Sequence, residues 1–224
     1  MGSSNTKEST KESTTQAAKR VINNHRDYIE NEIGDLYFED IEILAKCEGF
    51  KDESYNCKRG QPTIGFGQNL NVEYNKKIFE EILKKKNKSL ADLQSGEYTI
   101  SEKDAVEGFW EAVKVNLEEC RRLFPGFDKL SGTSKGIVLN VMYQQGFNGV
   151  ENMDEFCEVV EQAIQGEGSH KDILAALEKT EFAKKHSHRM DHMRAVLEFE
   201  EEEYEIFGIK VRVRIKVVYV TVYR

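Results

Sequence analysis

The sequence has few residues that interrupt regular structure or cross-link a chain. Only two of its 224 residues are proline, Pro62 and Pro125, so most of the chain is free to form long helices. Its four cysteines stand at wide, irregular spacings without a C-x-x-C pair. That spacing argues against a zinc knuckle or a disulfide framework and favours a reducing compartment.

Positive charge is scarce as well. The chain has 32 Lys and Arg against 40 Asp and Glu, a formal net charge of −8. Nonspecific nucleic-acid binding depends on neutralising phosphates with Lys and Arg, so no nucleic-acid partner is expected. The same charge disfavours attraction to an anionic cell-wall polymer.

The N-terminus lacks the apolar segment of a signal peptide or membrane anchor. Residues 1–16 are polar and contain a tandem Lys-Glu-Ser-Thr repeat, which predicts a disordered tail on a protein that is cytoplasmic at synthesis. The first six residues also fit the N-myristoylation pattern at Gly2, which matters only in a eukaryotic cell. A plain flexible leader is the alternative.

Helical periodicity dominates the chain after residue 16. We expect a helical extension over residues 17–37, an α+β, mainly helical domain over 38–197 with a small β-hairpin lobe and a larger helical lobe, and an acidic run with a strand-like tail over 198–224. The predicted helices cover residues 17–33, 38–47, 74–86, 101–123, 132–145, 153–165, 171–179 and 190–203. Glycines punctuate Phe50 to Leu70, which predicts a small hairpin sheet.

The C-terminal tail has a different period. From Ile209 to Val217, aliphatic and basic residues alternate, which predicts a strand. Alone it would be an exposed edge. It could add to a sheet, pair with a partner or remain a tail of uncertain order.

One carboxylate stands out on the predicted helix 38–47. Ile41, Leu44 and Ala45 form an apolar stripe, and Glu48 continues that stripe at the helix end. Glycoside hydrolysis commonly needs one carboxylic acid that donates a proton to the leaving oxygen, and Glu48 suits that role. The alternative is a glutamate that merely pairs with a basic neighbour.

The spacing around Glu48 carries a family resemblance. Eight residues separate Glu48 from Cys57, five separate Cys57 from Thr63, Tyr55 lies two before Cys57, and an Ile-Gly-Phe-Gly strand comes directly after Thr63. This segment resembles the active-site segment of the phage-type lysozymes, glycoside hydrolase family 24. The resemblance extends roughly from Ile41 to Leu197.

The resemblance implies a lysozyme-like fold and a role for each matched residue. Glu48 would be the proton donor, and Cys57 and Thr63 would complete the catalytic set. The implied substrate-binding or supporting residues are Tyr55, Gln144 and Arg189, the last by pairing with Glu48. The expected reaction is hydrolysis of the β-1,4 bond between N-acetylmuramic acid and N-acetylglucosamine in peptidoglycan, with inversion, by a monomer that needs no metal or other cofactor.

Two departures from the family pattern change the expected chemistry. Cys57 stands where the best-known members have a carboxylate, and its thiolate could act as base, nucleophile or electrostatic stabiliser. Gln68 stands where the family often has histidine, and we expect it to alter the support of the site.

Other residues offer alternatives. Asp52 and Glu53 could replace the missing carboxylate, but a charged loop is more often simply solvated. A metal site at His186, His188 and His192 lacks a third ligand with matching spacing; surface helix residues are expected. Trp110 and Tyr143 lie on helical stripes and are expected in the core rather than as sugar platforms.

Two rival functions remain. The same fold could be a noncatalytic glycan-binding module, or a scaffold whose acidic run and C-terminal strand recruit a partner by β-augmentation.

Overall fold

The computed structural model describes residues 12–34, 36–196, 199–206 and 209–216, the last two ranges as backbone only. The predicted tail up to residue 11, its Gly2 modification pattern and residues 217–224 lie outside the described residues.

Helices account for most of the described chain. They are α1 (Thr14–Asn24), α2 (Arg26–Glu30), α3 (Phe38–Glu48), α4 (Glu73–Lys84), α5 (Leu90–Gln94), α6 (Glu102–Leu123), α7 (Gly132–Glu151), α8 (Asp154–Ile164), α9 (His170–Glu178), α10 (Glu181–Lys185) and α11 (Ser187–Val196), with a short 3-10 turn at Phe127–Lys129. Among the described residues, no helix combines the length and apolar character needed to cross a membrane.

A three-stranded antiparallel sheet accompanies the helices, in the order β1 (Lys51–Asn56), β2 (Pro62–Gly65), β3 (Gln68–Asn69). The predicted α+β, mainly helical class and the hairpin sheet between Phe50 and Leu70 are confirmed. The helix predicted over residues 17–33 is two helices, and it begins at Thr14, where Ser13 caps it in a capping box with Gln16.

The chain forms two compact units, the first from described residues 12–32 and 44–115. Phe66 at the end of β2 packs on Phe50 and Phe109, with ring centroids 5.3 and 4.8 Å apart. Ala18, Val21, Ile22 and Ile29 of the N-terminal helices are fully buried. The extension is therefore part of the core of this unit rather than an appendage. Trp110 is also buried, as expected.

The second unit contains residues 33–43 and those from Asn116 onward. Its core surrounds α7, which contributes Ile137, Val138, Val141 and Met142. Helix α7 breaks at Gly146, whose φ of 68° and ψ of 172° are not helical. The predicted end at residue 145 therefore coincides with this break, although helix resumes beyond it to Glu151.

The C-terminal segment corrects one prediction. The helix predicted over residues 190–203 ends at Val196, and Phe199–Ile206 forms β4, which pairs antiparallel with β5 (Ile209–Lys216). The register places Glu201 opposite Arg214 and Glu205 opposite Lys210. The backbone pairing of the two strands thus overrides the local helical preference of a glutamate run.

Candidate active site around the three-stranded sheet

Glu48 ends α3 and is half-buried, with its carboxylate against the β2–β3 turn. A β-carbon at Gly67 would lie 2.8 Å from Oε2 of Glu48, so a larger residue would collide with the carboxylate. Gly67 also has a φ of 78°, which favours glycine. Glycine at position 67 of the turn thus allows the close approach of the Glu48 carboxylate.

Cys57 opens the turn between β1 and β2. Its N–H donates to the carbonyl of Gln61 at 2.9 Å, and its own carbonyl accepts from Gly60 N–H at 2.8 Å. Gly60 has a φ of 72°. This is the three-residue hairpin loop that ends in a glycine bulge, and it turns the backbone N–H groups of the loop towards the side chain of Cys57.

The sulfur of Cys57 accepts hydrogen bonds rather than resting in an apolar pocket. The backbone N–H of Arg59 and that of Gln61 donate to it, and these bonds, with a further bond from Thr63 and the charge of Arg59, hold the pKa of Cys57 below the usual value for a thiol. Cys57 is only half-buried. The thiol therefore ionises more readily than an ordinary cysteine, and its sulfur is partly accessible.

Thr63 lies on β2 directly opposite Tyr55 and is almost fully buried. Its hydroxyl donates to the carbonyl of Gln61 at 3.0 Å and is also within hydrogen-bonding reach of Cys57. A hydroxyl has one proton and two lone pairs. Thr63 can thus donate to the carbonyl or the thiolate and still accept from a water molecule.

Tyr55 interacts electrostatically with both Glu48 and Cys57. Its ring lies under the ammonium group of Lys51, with Nζ 4.0 Å from the centroid. Burial raises the pKa of Tyr55, and the negative charges of Glu48 and Cys57 raise it further. The charges of Glu48 and Cys57 both act on Tyr55, so the three groups lie in one neighbourhood.

Gln68 stabilises the β2–β3 turn next to these residues. Its side chain is buried, and its Oε1 accepts from Phe66 N–H at 2.7 Å. The bond fixes the turn that contains Gly67, against which Glu48 rests. The amide of Gln68 therefore stabilises this turn, and its effect on activity stays a prediction.

Gln144 and Arg189 are brought together in the second unit. Arg189 on α11 is buried and donates to Oε1 of Gln144 at 2.8 Å and to Oδ1 of Asn140 at 2.7 Å. Asn140 was missed by the sequence reasoning, although two amides four residues apart on the most apolar helix were a visible signal. The pairing of Arg189 with Glu48 stays a prediction.

The alternative groups lie elsewhere. Asp52 and Glu53 are exposed on β1. His188 and His192 on α11 meet edge to face, with Nε2 atoms 3.2 Å apart. No group of three potential metal ligands occurs among the described residues. Tyr143 is half-buried.

A groove of about 660 Å³ runs along β1, between that strand and α1. Tyr55 lines it together with Arg20 and Ser101, whereas Glu48, Cys57 and Thr63 do not. The groove therefore adjoins the candidate site at Tyr55 and does not contain it.

No protein-family model matches the chain, and no curated protein matches it either.

Proposed function

We propose that the chain is a lysozyme, an endo-acting glycosidase that hydrolyses the β-1,4 bond between N-acetylmuramic acid and N-acetylglucosamine in peptidoglycan. One observation carries the proposal: the three residues of the spaced motif, Glu48, Cys57 and Thr63, converge on one small sheet, and Tyr55 couples electrostatically to the first two. Such convergence is what an acid and a water-activating group across a sugar require.

The proposed mechanism has one proton transfer on each face of the sugar, from Glu48 on one face and to Cys57 on the other. Glu48 gives its proton to the glycosidic oxygen as the bond to the anomeric carbon breaks. A water molecule held by Thr63 attacks the same carbon, and its proton passes to the thiolate of Cys57. Attack by water in a single displacement inverts the anomeric centre.

The resemblance to an inverting family favours attack by water over attack by the sulfur of Cys57. Backbone donors to the thiolate lower both its basicity and its nucleophilicity, so they do not by themselves separate the two roles. They leave a fixed negative charge that can accept a proton and stabilise an oxocarbenium-like transition state. The proposal thus includes no covalent glycosyl intermediate.

The test is lysis of purified peptidoglycan, followed by turbidity. Glu48→Gln is near-isosteric but has no acid proton, so we expect a rate loss of about 10²–10⁴ with the fold retained by circular dichroism. Glu53→Gln makes the same change at an exposed carboxylate on β1 and should keep the wild-type rate. A Glu48→Gln variant that keeps more than about a tenth of that rate would remove the acid role.

A partner-recruiting protein on the same scaffold is the second candidate. The observation in its favour is that β4 and β5 form a two-stranded sheet of their own. Two strands alone are marginally stable in water, so an added strand from a partner would stabilise them. Deleting residues 209–224 separates the two candidates, because an enzyme would keep its turnover and an adaptor would lose its partner.

A further inference from the structure

Gln61 holds both water-activating residues of the candidate site through its main chain. Its carbonyl accepts from the N–H of Cys57 at 2.9 Å and from the hydroxyl of Thr63 at 3.0 Å. A hydrogen bond from its N–H is also among the causes that lower the pKa of the Cys57 thiol. The orientation of this one peptide segment therefore sets where the sulfur and the hydroxyl lie.

The side chain of Gln61 is tied to the neighbouring strand. Nδ2 of Asn69, on β3, donates to Oε1 of Gln61 at 2.6 Å. Oδ1 of Asn69 accepts from the N–H of Asn71 at 2.9 Å. Because a backbone N–H can only donate, this second bond fixes which end of the Asn69 amide is oxygen and leaves its NH₂ group facing Gln61.

We infer that the Asn69–Gln61 hydrogen bond is a clamp whose function is to position Cys57 and Thr63 for catalysis. The clamp joins Gln61, at the end of the otherwise exposed β1–β2 turn, to Asn69 of β3. Asn69 is also the sheet partner of Thr63, two residues after Gln61. As a contributor to catalysis it rests on the proposed function, whereas its hold on the Cys57 sulfur does not.

The effect of the clamp on Cys57 depends on the angles of the hydrogen bonds to its sulfur. A hydrogen bond weakens steeply as its angle bends. Without the clamp, only the backbone bonds of the β1–β2 hairpin hold the turn, and its N–H groups have more freedom to rotate away from the sulfur. The charged and titratable groups facing Cys57 are Arg59 in the turn and Tyr55 on β1, with Glu48 beyond Tyr55. Replacing Asn69 with leucine changes none of these charges, so any altered titration of the thiol reports on the backbone donors.

The experiment measures alkylation of Cys57 by iodoacetamide in the full-length protein as a function of pH. Trypsin cleavage after Lys51 and Lys58 isolates Cys57 in a peptide without another cysteine, and Cys47 lies in the preceding one. In Asn69→Leu we expect the labelling rate of Cys57 at pH 7 to fall about threefold to tenfold and its pH midpoint to rise. Gln61→Leu keeps the main chain and should do the same.

Asn71→Leu is the matched control. It makes the same substitution two residues away, on an exposed side chain, and keeps the N–H that holds Asn69. It should leave labelling unchanged. The double variant Asn69→Leu with Gln61→Leu should be no slower than either single variant, because the two side chains act as one unit.

Unchanged labelling in both single variants would overturn the clamp, and so would equal slowing in Asn71→Leu, since that would indicate general loosening. If Asn69→Leu failed to fold, Gln61→Leu would carry the test alone. On peptidoglycan, the clamp variants should lower kcat several-fold at unchanged KM. Wild-type protein without any hydrolysis would refute the proposed function and leave the labelling result standing.

Discussion

The candidate residues fall into two clusters that are built in different ways. Around Cys57, main-chain groups of a turn supply the hydrogen bonds. Around Arg189, side chains supply them, since Asn140 and Gln144 lie at helical spacing on α7. The first arrangement leaves a reactive group accessible, and the second satisfies a buried charge. Chemistry is therefore expected at the first cluster and structural support at the second.

The largest effect that would sharpen this comparison is on Cys57. In Cys57→Ala we expect hydrolysis to fall about 10²-fold, because the water loses its proton acceptor. Cys57→Asp should stay within about tenfold of wild type, because an aspartate in the first position of a turn accepts from the N–H two residues on, as the sulfur does. Turbidity gives the rates, and NMR in the first seconds of turnover gives the product anomer.

Two results would break the assignment of Cys57. A retained anomer together with a glycan adduct on Cys57 in the intact mass would make the residue a nucleophile. Full activity in Cys57→Ala would show instead that Glu48 and a water held by Thr63 are sufficient.

The next effect is on stability and belongs to Arg189. Arg189→Ala leaves the buried amide oxygen of Asn140 and the half-buried one of Gln144 without their charged donor, and we expect the free energy of unfolding to fall by about 2–4 kcal/mol in urea denaturation. Arg194→Ala, on the same helix, removes only exposed ion pairs with Glu178 and Asp191 and should lower the free energy of unfolding by only a small fraction of that amount. Equal losses would mean that the Arg189 cluster has no special structural weight.

Arg189→Ala also tests the pairing with Glu48 that the family resemblance implies. If that pairing is made, the limb of the pH–rate profile that reports Glu48 should move to higher pH, because a carboxylate that loses a positive neighbour holds its proton more tightly. An unchanged limb would show that the role of Arg189 was misassigned.

The difference between the clusters also explains what the sequence could predict. Helical periodicity and the glycine pattern located most of the helices and the three-stranded sheet, because both signals depend on the type of side chain at each position. The spacing of Glu48, Cys57 and Thr63 indicated the site, but the donors to Cys57 are backbone N–H groups, which every residue except proline carries. The Asn69–Gln61 bond was likewise invisible, because it depends on the register of β2 and β3.

The strand predicted from Ile209 to Val217 is confirmed by β5, but its partner β4 was missed for a related reason. A run of glutamates favours helix locally, and only its pairing with the basic strand β5 makes β4 a strand. Pairing of this kind is a property of two segments together, whereas periodicity describes each segment alone.

The smallest effect concerns the two half-buried thiols, Cys57 and Cys157. Their pKa values are shifted in opposite directions from that of an ordinary thiol. Cys157, on α8, donates its S–H to the carbonyl of Val150 at 3.2 Å, a bond that only the protonated form can make. Burial and then the charges of Glu161 and Asp154 raise the pKa of Cys157 to about 11. Cys57 instead accepts hydrogen bonds, which lower its pKa.

The two thiols should therefore tilt the pH dependence of stability in opposite senses. Between pH ~8.5, where an unfolded thiol titrates, and pH 11, the folded chain holds a proton on Cys157 that the unfolded chain has lost, so stability falls as pH rises. For Cys57 the folded chain loses its proton first, so its contribution grows as pH rises towards ~8.5 and disappears as pH falls through the lowered pKa. The free energy of unfolding, from urea titrations at pH 7 to 10, should fall less steeply above pH ~8.5 in Cys157→Ala than in wild type. The difference should be on the order of 1 kcal/mol once solvent screening of a partly exposed group is included. Cys57→Ala should flatten the rise below that pH, and equal slopes in all three proteins would mean that neither sulfur is held as the hydrogen bonds indicate.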